Sequence, residues 1–381
     1  MTWRVPLTDV VVTDGDVAAV LDCFAQGWIT MGPRTQEFEA AFAELFGTEH
    51  AVAVSSGTAA LHLALLAAGV ARGDEVIVPA MTFVAGAAAV RYCGATPVFV
   101  DSCSPADLNA DPAAVAELIG PRTRAVLATH WLGYSCDAPV LEALCEEHGL
   151  LMIEDCAQSI TARTTDGRLT GTVGHAGCFS FFSKKQLSVG EGGMVTTSDP
   201  EIAAKVRSLR SHAMTSVTWD RHLGYAQSYD VVDLGFNFRI DEARAALGLS
   251  RLARLDQDVA TRRTLVRHYR RLLQGVAGVS VPWTNEDVER ASHFGFPVML
   301  ETGAERDRVA AVLAARQIQT TWYPAITTLS AYREHPRQPR AEEIASRHLV
   351  LPLSSTYTMD EIELVVEELK EALAAGVAGR A

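Results

Sequence analysis

A chain of 381 residues, 48% of them apolar and with no low-complexity tract, has room for two domains, or for one large domain and a smaller one. Its formal charge of −13 is the wrong sign for a nucleic-acid binder, although a few arginines or a helix N-terminus can still hold a small anion. Seven scattered cysteines without a CxxC pair argue against a disulfide framework or a zinc site and fit thiols in a reducing compartment. The opening MTWRVPLTD lacks the basic-then-apolar order of a signal peptide. The longest apolar stretch, residues 59–71, holds a histidine and is too short to cross a bilayer. A cytoplasmic protein with no membrane and no metal partner is expected.

The first predicted helix begins at Thr13 or Asp14, either of which can cap, and stops at Gly27. Asp16 lies in its first turn, and Val17, Val20, Leu21 and Phe24 recur at helical spacing. A second runs through TQEFEAAFAELFG (35–47), with Phe38, Phe42, Leu45 and Phe46 on one face. From residue 51 the pattern becomes short apolar runs that read as strands buried on both faces: AVAV (51–54), EVIVPA (75–80), TPVFVD (96–101), RAVLATH (124–130), GLLMIED (149–155) and GCFSFF (177–182). Helical stretches such as TAALHLALLAAG and PAAVAELI lie between them. This alternation predicts an α/β fold, a mainly parallel sheet with helices on both faces, whose carboxyl edge is where ligands bind. LARLDQDVATRRTLVRHYRRLLQGV (252–276) reads as one long helix with its arginines on a solvated face. SHFGFPVML, RDRVAAVLAARQI and MDEIELVVEELKEALAAG then suggest a smaller α+β domain, dividing the chain into 1–249 and 250–381.

The chain has only four lysines. Lys205 and Lys370 sit on amphipathic helices and read as solvated, whereas Lys184 and Lys185 follow a strand and precede a glycine turn, where a reactive group would sit. GLLMIED ends in Asp155, a carboxylate that is costly to desolvate unless a cation such as a protonated pyridine nitrogen meets it. In AVAVSSGTAALHLAL, a strand, a small-residue turn and a helix start follow one another. The amides of Gly57, Thr58 and Ala59 would face an anion there, and a helix N-terminus favours phosphate. Phe83 could stack on a flat ring. A phosphate site, an aromatic platform, a buried acid and a lysine at successive strand ends fit one cofactor, pyridoxal 5′-phosphate. The glycines of VGEGGM follow the lysine instead of preceding it. They therefore read as a tight connection into the next strand and not as a nucleotide loop.

Over nearly its whole length the chain resembles the sugar aminotransferases of the DegT/DnrJ/EryC1/StrS family, within the fold type I pyridoxal-phosphate enzymes. The matching stretches are GWITMGPRTQEFEAAFA (27–43), SSGTAALHLAL (55–65), VPAMTFVA (78–85), PVFVD (97–101), IEDCAQSI (153–160), FSFFSKKQLSVGEGGMV (179–195) and LGFNFRIDEARAALGLSRL (234–252). In that family the Schiff-base lysine stands five residues before the first glycine of G-[DE]-G-G, which is Gly190, so the resemblance implies Lys185 and leaves Lys184 as a neighbour. It likewise implies Ser180 at the phosphate, Asp155 at the pyridine nitrogen, Gln158 near the ring hydroxyl, and Asn237 reaching the cofactor of a partner subunit. The implied protein is a homodimer with shared active sites. It moves an amino group from glutamate to a nucleotide-linked (dTDP) keto-deoxysugar, in natural-product (antibiotic) or cell-surface sugar biosynthesis. Thr30, Arg239 and Tyr323 are candidate substrate contacts. Gln186 replaces the usual asparagine, Ala213 a frequent glycine and Thr327 a frequent histidine, departures that bear on the substrate more than on the cofactor. Two alternatives stay open: a cyclitol ketone as acceptor, and a cofactor-binding regulator without turnover. A branch that dehydrates sugars carries histidine in place of the lysine, which Lys185 argues against.

Overall fold

The computed structural model describes residues 3–378; Met1 and Thr2, the first two residues of the stretch read for a leader, lie outside the described residues. In chain order the strands are His50–Val54 (β1), Glu75–Pro79 (β2), Thr96–Val100 (β3), Ser102–Ser104 (β4), Asp107–Ala110 (β5) and Thr123–Thr129 (β6). Leu151–Asp155 (β7), Ala176–Ser180 (β8), Gly193–Thr197 (β9), Val279–Ser280 (β10), Phe296–Leu300 (β11) and His348–Leu351 (β12) follow. Seven of them form the central sheet in the order β1-β9-β8-β7-β6-β2-β3. Each of the six expected runs holds one of these strands. Neighbours from β8 through β3 are parallel, and only β9 runs antiparallel to both β1 and β8. Helices such as Gly57–Ala67 (α3 below) cover the parallel strands, whose residues are buried on both faces, as crossover connections require. The glycine turn delivers the chain into β9, every residue of which is buried. A second, antiparallel sheet, β10-β11-β12, lies in the stretch assigned to a smaller domain, and one contiguous apolar core, from Val5 to Leu373, crosses the expected division.

The first two helices meet different fates. Asp14–Gln26 (α1) is capped by Thr13, whose hydroxyl accepts the Asp16 N–H while Asp16 reaches back to the Thr13 N–H, and it ends at Gly27 with φ 75°. Its apolar stripe does not face this chain's core: Val17, Leu21 and Phe24 are 47%, 60% and 58% exposed. The reason lies on the opposite side of the helix. The buried Asp16 carboxylate is held by Ser250, Arg251 and Arg254, which turns the acidic side inward and the stripe outward. Pro33–Phe46 (α2) behaves as its spacing predicts, with Phe38, Phe42 and Phe46 buried against Phe179 of β8 and Phe181 just beyond it and Leu45 half-buried.

The long arginine-rich helix, Leu255–Leu273, corrects a second expectation. Its arginines are not all solvated: Arg262 is buried, and its Nη1 donates to the carbonyl oxygens of His293 and Leu353 at 3.3 and 3.2 Å. Burial brings this guanidinium down to about 10. Arg270 donates to Asn285 and to the carbonyls of Pro282 and Trp283. These arginines tie the helix to the segments around β10 and β11.

Candidate active site

The carboxyl ends of four neighbouring strands and the start of Gly57–Ala67 (α3) enclose a cavity of about 300 Å³. Gly57, Thr58, Phe83, Asp155, Gln158, Ser180, Lys185 and Tyr323 all line it. A wider cleft of about 670 Å³ beside the Leu255–Leu273 helix is lined by Arg267, Arg270 and Arg271, but Glu289, Asn285 and His268 already engage those side chains. The chemistry therefore points to the smaller cavity.

At one end, Ser56 caps α3 by accepting the Ala59 N–H at 3.1 Å. Ala59 is thus not one of the amides left for an anion, and it does not line the cavity; Gly57 and Thr58, in the same first turn, remain. A Cβ on Gly57 would fall 2.7 Å from the Ser180 Cβ, so only glycine lets the helix start approach the end of β8 this closely. The result is a cradle made of backbone N–H groups and a serine hydroxyl.

At the other end Asp155 closes β7, buried, with Oδ1 accepting the Ala157 N–H at 3.1 Å. Burial pushes its carboxyl up, against the pull of Lys185 and His130, so the site lacks enough positive charge of its own to settle this carboxylate. Gln158 is oriented by its neighbour: Oε1 accepts the Leu132 N–H at 2.8 Å, which leaves Nε2 as a donor. Lys185 reaches over the ring of Phe294, its Nζ 4.5 Å from the centroid, and burial brings its amine down to about 8 although Asp155 pulls the other way. Lys184 is exposed at the rim of the same cavity. Phe83, 56% exposed, stands at the mouth.

A comparison with protein families matches residues 12–370 to the DegT/DnrJ/EryC1/StrS aminotransferase family. The chain belongs to that family. It is 44% identical over 256 residues to GDP-perosamine synthase of Caulobacter vibrioides, covering 67% of this chain and 66% of that one. It is 38% identical over 385 residues to dTDP-3-amino-3,4,6-trideoxy-alpha-D-glucose transaminase of Streptomyces venezuelae, covering 97% and 96%. Among solved structures, S. venezuelae DesV in complex with a ketimine intermediate superposes with a TM-score of 0.89 at 36% identity, covering 97% of this chain and 98% of that one. This member of the family is an aminotransferase that uses pyridoxal 5′-phosphate.

The cavity suits that group: a cradle that any Cβ would fill, a buried carboxylate short of a cation, and an amine between them. A further sign is Thr129, whose buried Oγ1 has no hydrogen-bond partner among the described residues. It closes β6 as the register partner of Asp155, so the two side chains share one face of the sheet. Sequence reasoning passed over Thr129, although its place at a strand end was a usable signal. It also passed over Ser56 and Phe294, and it noted Gln186 only as a departure from the usual asparagine, not as the side chain whose Nε2 donates to the Gln158 carbonyl at 2.9 Å and to the Ser292 hydroxyl at 3.1 Å. Besides Ala59, three expected residues do not line the cavity in this chain. Thr30 is half-buried, Asn237 is exposed, and Arg239 keeps a buried Nη1 without a partner among the described residues beside Arg210. Behind the site, Glu154 accepts from the amides of Gly171, Val173 and Gly174 and pairs with His130, which leaves it a structural anchor of β7.

Proposed function

We propose that the enzyme aminates a keto-deoxysugar carried on dTDP, with glutamate as the amino donor, in the making of a natural-product or cell-surface aminosugar. The observation that carries this reading is the joint presence, in one cavity, of the Lys185 amine, the buried Asp155 carboxylate and the Gly57–Ser180 cradle. The dTDP form is preferred over GDP because the dTDP-sugar relative is matched over nearly its whole length and the GDP-sugar relative over about two thirds.

In this reading Gly57, Thr58 and Ser180 would hold the phosphate, Phe83 would stack on the ring, Gln158 Nε2 would donate to the ring oxygen, and Asp155 would meet the ring nitrogen. When bound, pyridoxal 5′-phosphate supplies the electron sink that carries an amino group from donor to acceptor. Lys185 would hold the cofactor, and its free amine would be the group placed to move a proton from and to the carbon that changes oxidation state. An amine near 8 suits that work. Roughly a tenth of it is neutral at pH 7, against about one part in 3,000 for an ordinary lysine. A protonated ring nitrogen would favour the ionised form of Asp155 against the burial that pushes its carboxyl up.

The second copy completes the site. Support comes from large apolar side chains left in the open: Val17, Leu21 and Phe24 of α1, and Tyr225, Val232 and Leu234 just ahead of Asn237. Asn237 then serves the partner's cofactor, and Thr30, Arg239 and Tyr323 serve the substrate. The test is a panel of nucleotide-linked ketosugars and cyclitol ketones incubated with enzyme and glutamate and scored by mass spectrometry for the amine. Amination of dTDP-linked acceptors is expected. Turnover of the cyclitol ketones alone, or cofactor binding with no amination of any acceptor, would sink the proposal.

A further inference from the structure

Phe294 reaches the cavity from far along the chain, on a short strap between the Asn285–Arg290 helix and β11. The strap is fixed from several sides. Ser292 N–H donates to the Gly133 carbonyl and Phe294 N–H to the Leu132 carbonyl, each at 3.0 Å. Ser292 Oγ accepts from Gln186, next in sequence to Lys185, and donates to the Gln158 carbonyl at 3.3 Å. Arg262 holds the His293 carbonyl from the other side. Two conformational demands accompany this docking. His293 sits at φ 57°, a left-handed conformation that a non-glycine residue adopts only when its surroundings enforce it. Gly133 must lack a Cβ, which would otherwise lie 2.7 Å from the His293 nitrogen and 2.8 Å from that of Phe294. A strap held this way puts one thing in the cavity, the Phe294 ring, with the Lys185 Nζ 4.5 Å from its centroid.

We propose that Phe294 is a positioning residue for Lys185: its ring face receives the lysine ammonium whenever the amine is not bonded to the cofactor, and keeps it within reach of the reacting carbon. The inference rests on the reading of Lys185 as the lysine that holds the cofactor. An aromatic face within about 6 Å of a cation attracts it through the ring quadrupole, more strongly where water is excluded. Burial alone disfavours the ammonium, and the ring face offsets part of that penalty without adding a counter-charge that would trap the proton. Leucine at the same position keeps the site apolar and removes the face; tyrosine keeps the face.

The test exploits the scarcity of lysines. Full-length enzyme freed of its cofactor by dialysis is treated with cyanate across a pH series, and carbamylation of each lysine is followed by peptide mass spectrometry, with Lys205 and Lys370 as internal references. In Phe294→Leu the apparent pKa of Lys185 is expected to fall by about half a unit or more, while Phe294→Tyr keeps the wild-type value. An unchanged value in Phe294→Leu would overturn the proposal. So would a rise, which would mean that the ring only excludes water, or an equal shift in Phe294→Tyr. Borohydride reduction of the intact holoenzyme, followed by the same peptide mapping, tests the underlying reading separately. Cofactor found on Lys184 would overturn the assignment of Lys185, whatever the cyanate series shows.

Discussion

The inner and outer halves of this site are built in different ways. The inner half, Gly57, Asp155, Ser180 and Lys185, comes from the ends of adjacent strands and the start of one helix, and a single chain brings it together around one cavity. The proposed outer half, Thr30, Asn237 and Arg239, does not line that cavity, and apolar side chains are left open on α1 and on the segment before Asn237. A sheet edge needs only its own hydrogen bonds and its covering helices to hold side chains in place. In the proposed reading, a second copy supplies the surface that the outer residues lack.

The sharpest way to break the inner half is at its lysine. Lys185→Ala is expected to lower glutamate-dependent amination by at least about 10³-fold, the upper range for loss of a positioned proton-transfer group, and to abolish the visible absorption of the lysine-bound cofactor. Lys184→Ala, at the exposed rim, should leave that absorption in place. A smaller effect follows from the cradle. Gly57→Ala sets a Cβ against Ser180. Overpacking of this kind costs about 1–3 kcal/mol, so cofactor affinity measured by titration should weaken roughly tenfold or more. The outer half is tested by Leu21→Glu on α1. Leu21 is 60% exposed, so the fold of one chain should survive the change. If a second copy covers the stripe, losing one buried leucine removes about 1.5–3 kcal/mol, or on the order of tenfold to a hundredfold in dimer affinity. Sedimentation of wild type and variant over a concentration series would detect it, and identical behaviour would count against the shared site.

The same division explains what could be read in the sequence. The strands and their order along the chain follow from apolar runs and from what terminates them, and Asp155 and the Lys184–Lys185 pair were legible for that reason, whereas Ser180 and the choice of Lys185 over Lys184 came from the resemblance. The cofactor's identity came from the order of four weak signals and from the resemblance, not from any one residue. Partners distant in sequence were opaque. The arginines after Leu255 looked solvated because helical charge patterns usually are, and only the carbonyls of His293 and Leu353 show why Arg262 is buried. Spacing revealed that α1 carries an apolar stripe but not which surface would cover it, since the inward turn is set by Asp16 meeting Arg251 and Arg254. Ala59 was expected to offer its amide, and the Ser56 hydroxyl had already taken it.

The smallest expected effect separates the two lysines by stability instead of catalysis. In the cofactor-free protein burial lowers the Lys185 amine from 10.5 to about 8. Between those two values the unfolded chain holds a proton that the folded chain has released, so the folded state gains stability as pH rises through that window. Below about pH 8 both states are protonated, and the folded state carries the full cost of a desolvated ammonium. Lys185→Met removes the titrating group. The cofactor-free variant should therefore be more stable than the wild type at pH 7, and its advantage should shrink as pH climbs past 8 towards 10.5. Denaturant unfolding of both proteins across that range, with Lys184→Met at the exposed rim as control, measures the difference. A constant gap between wild type and Lys185→Met would mean that water reaches this amine in the folded protein, and that the inner half of the site is less sealed than its strand-end construction implies.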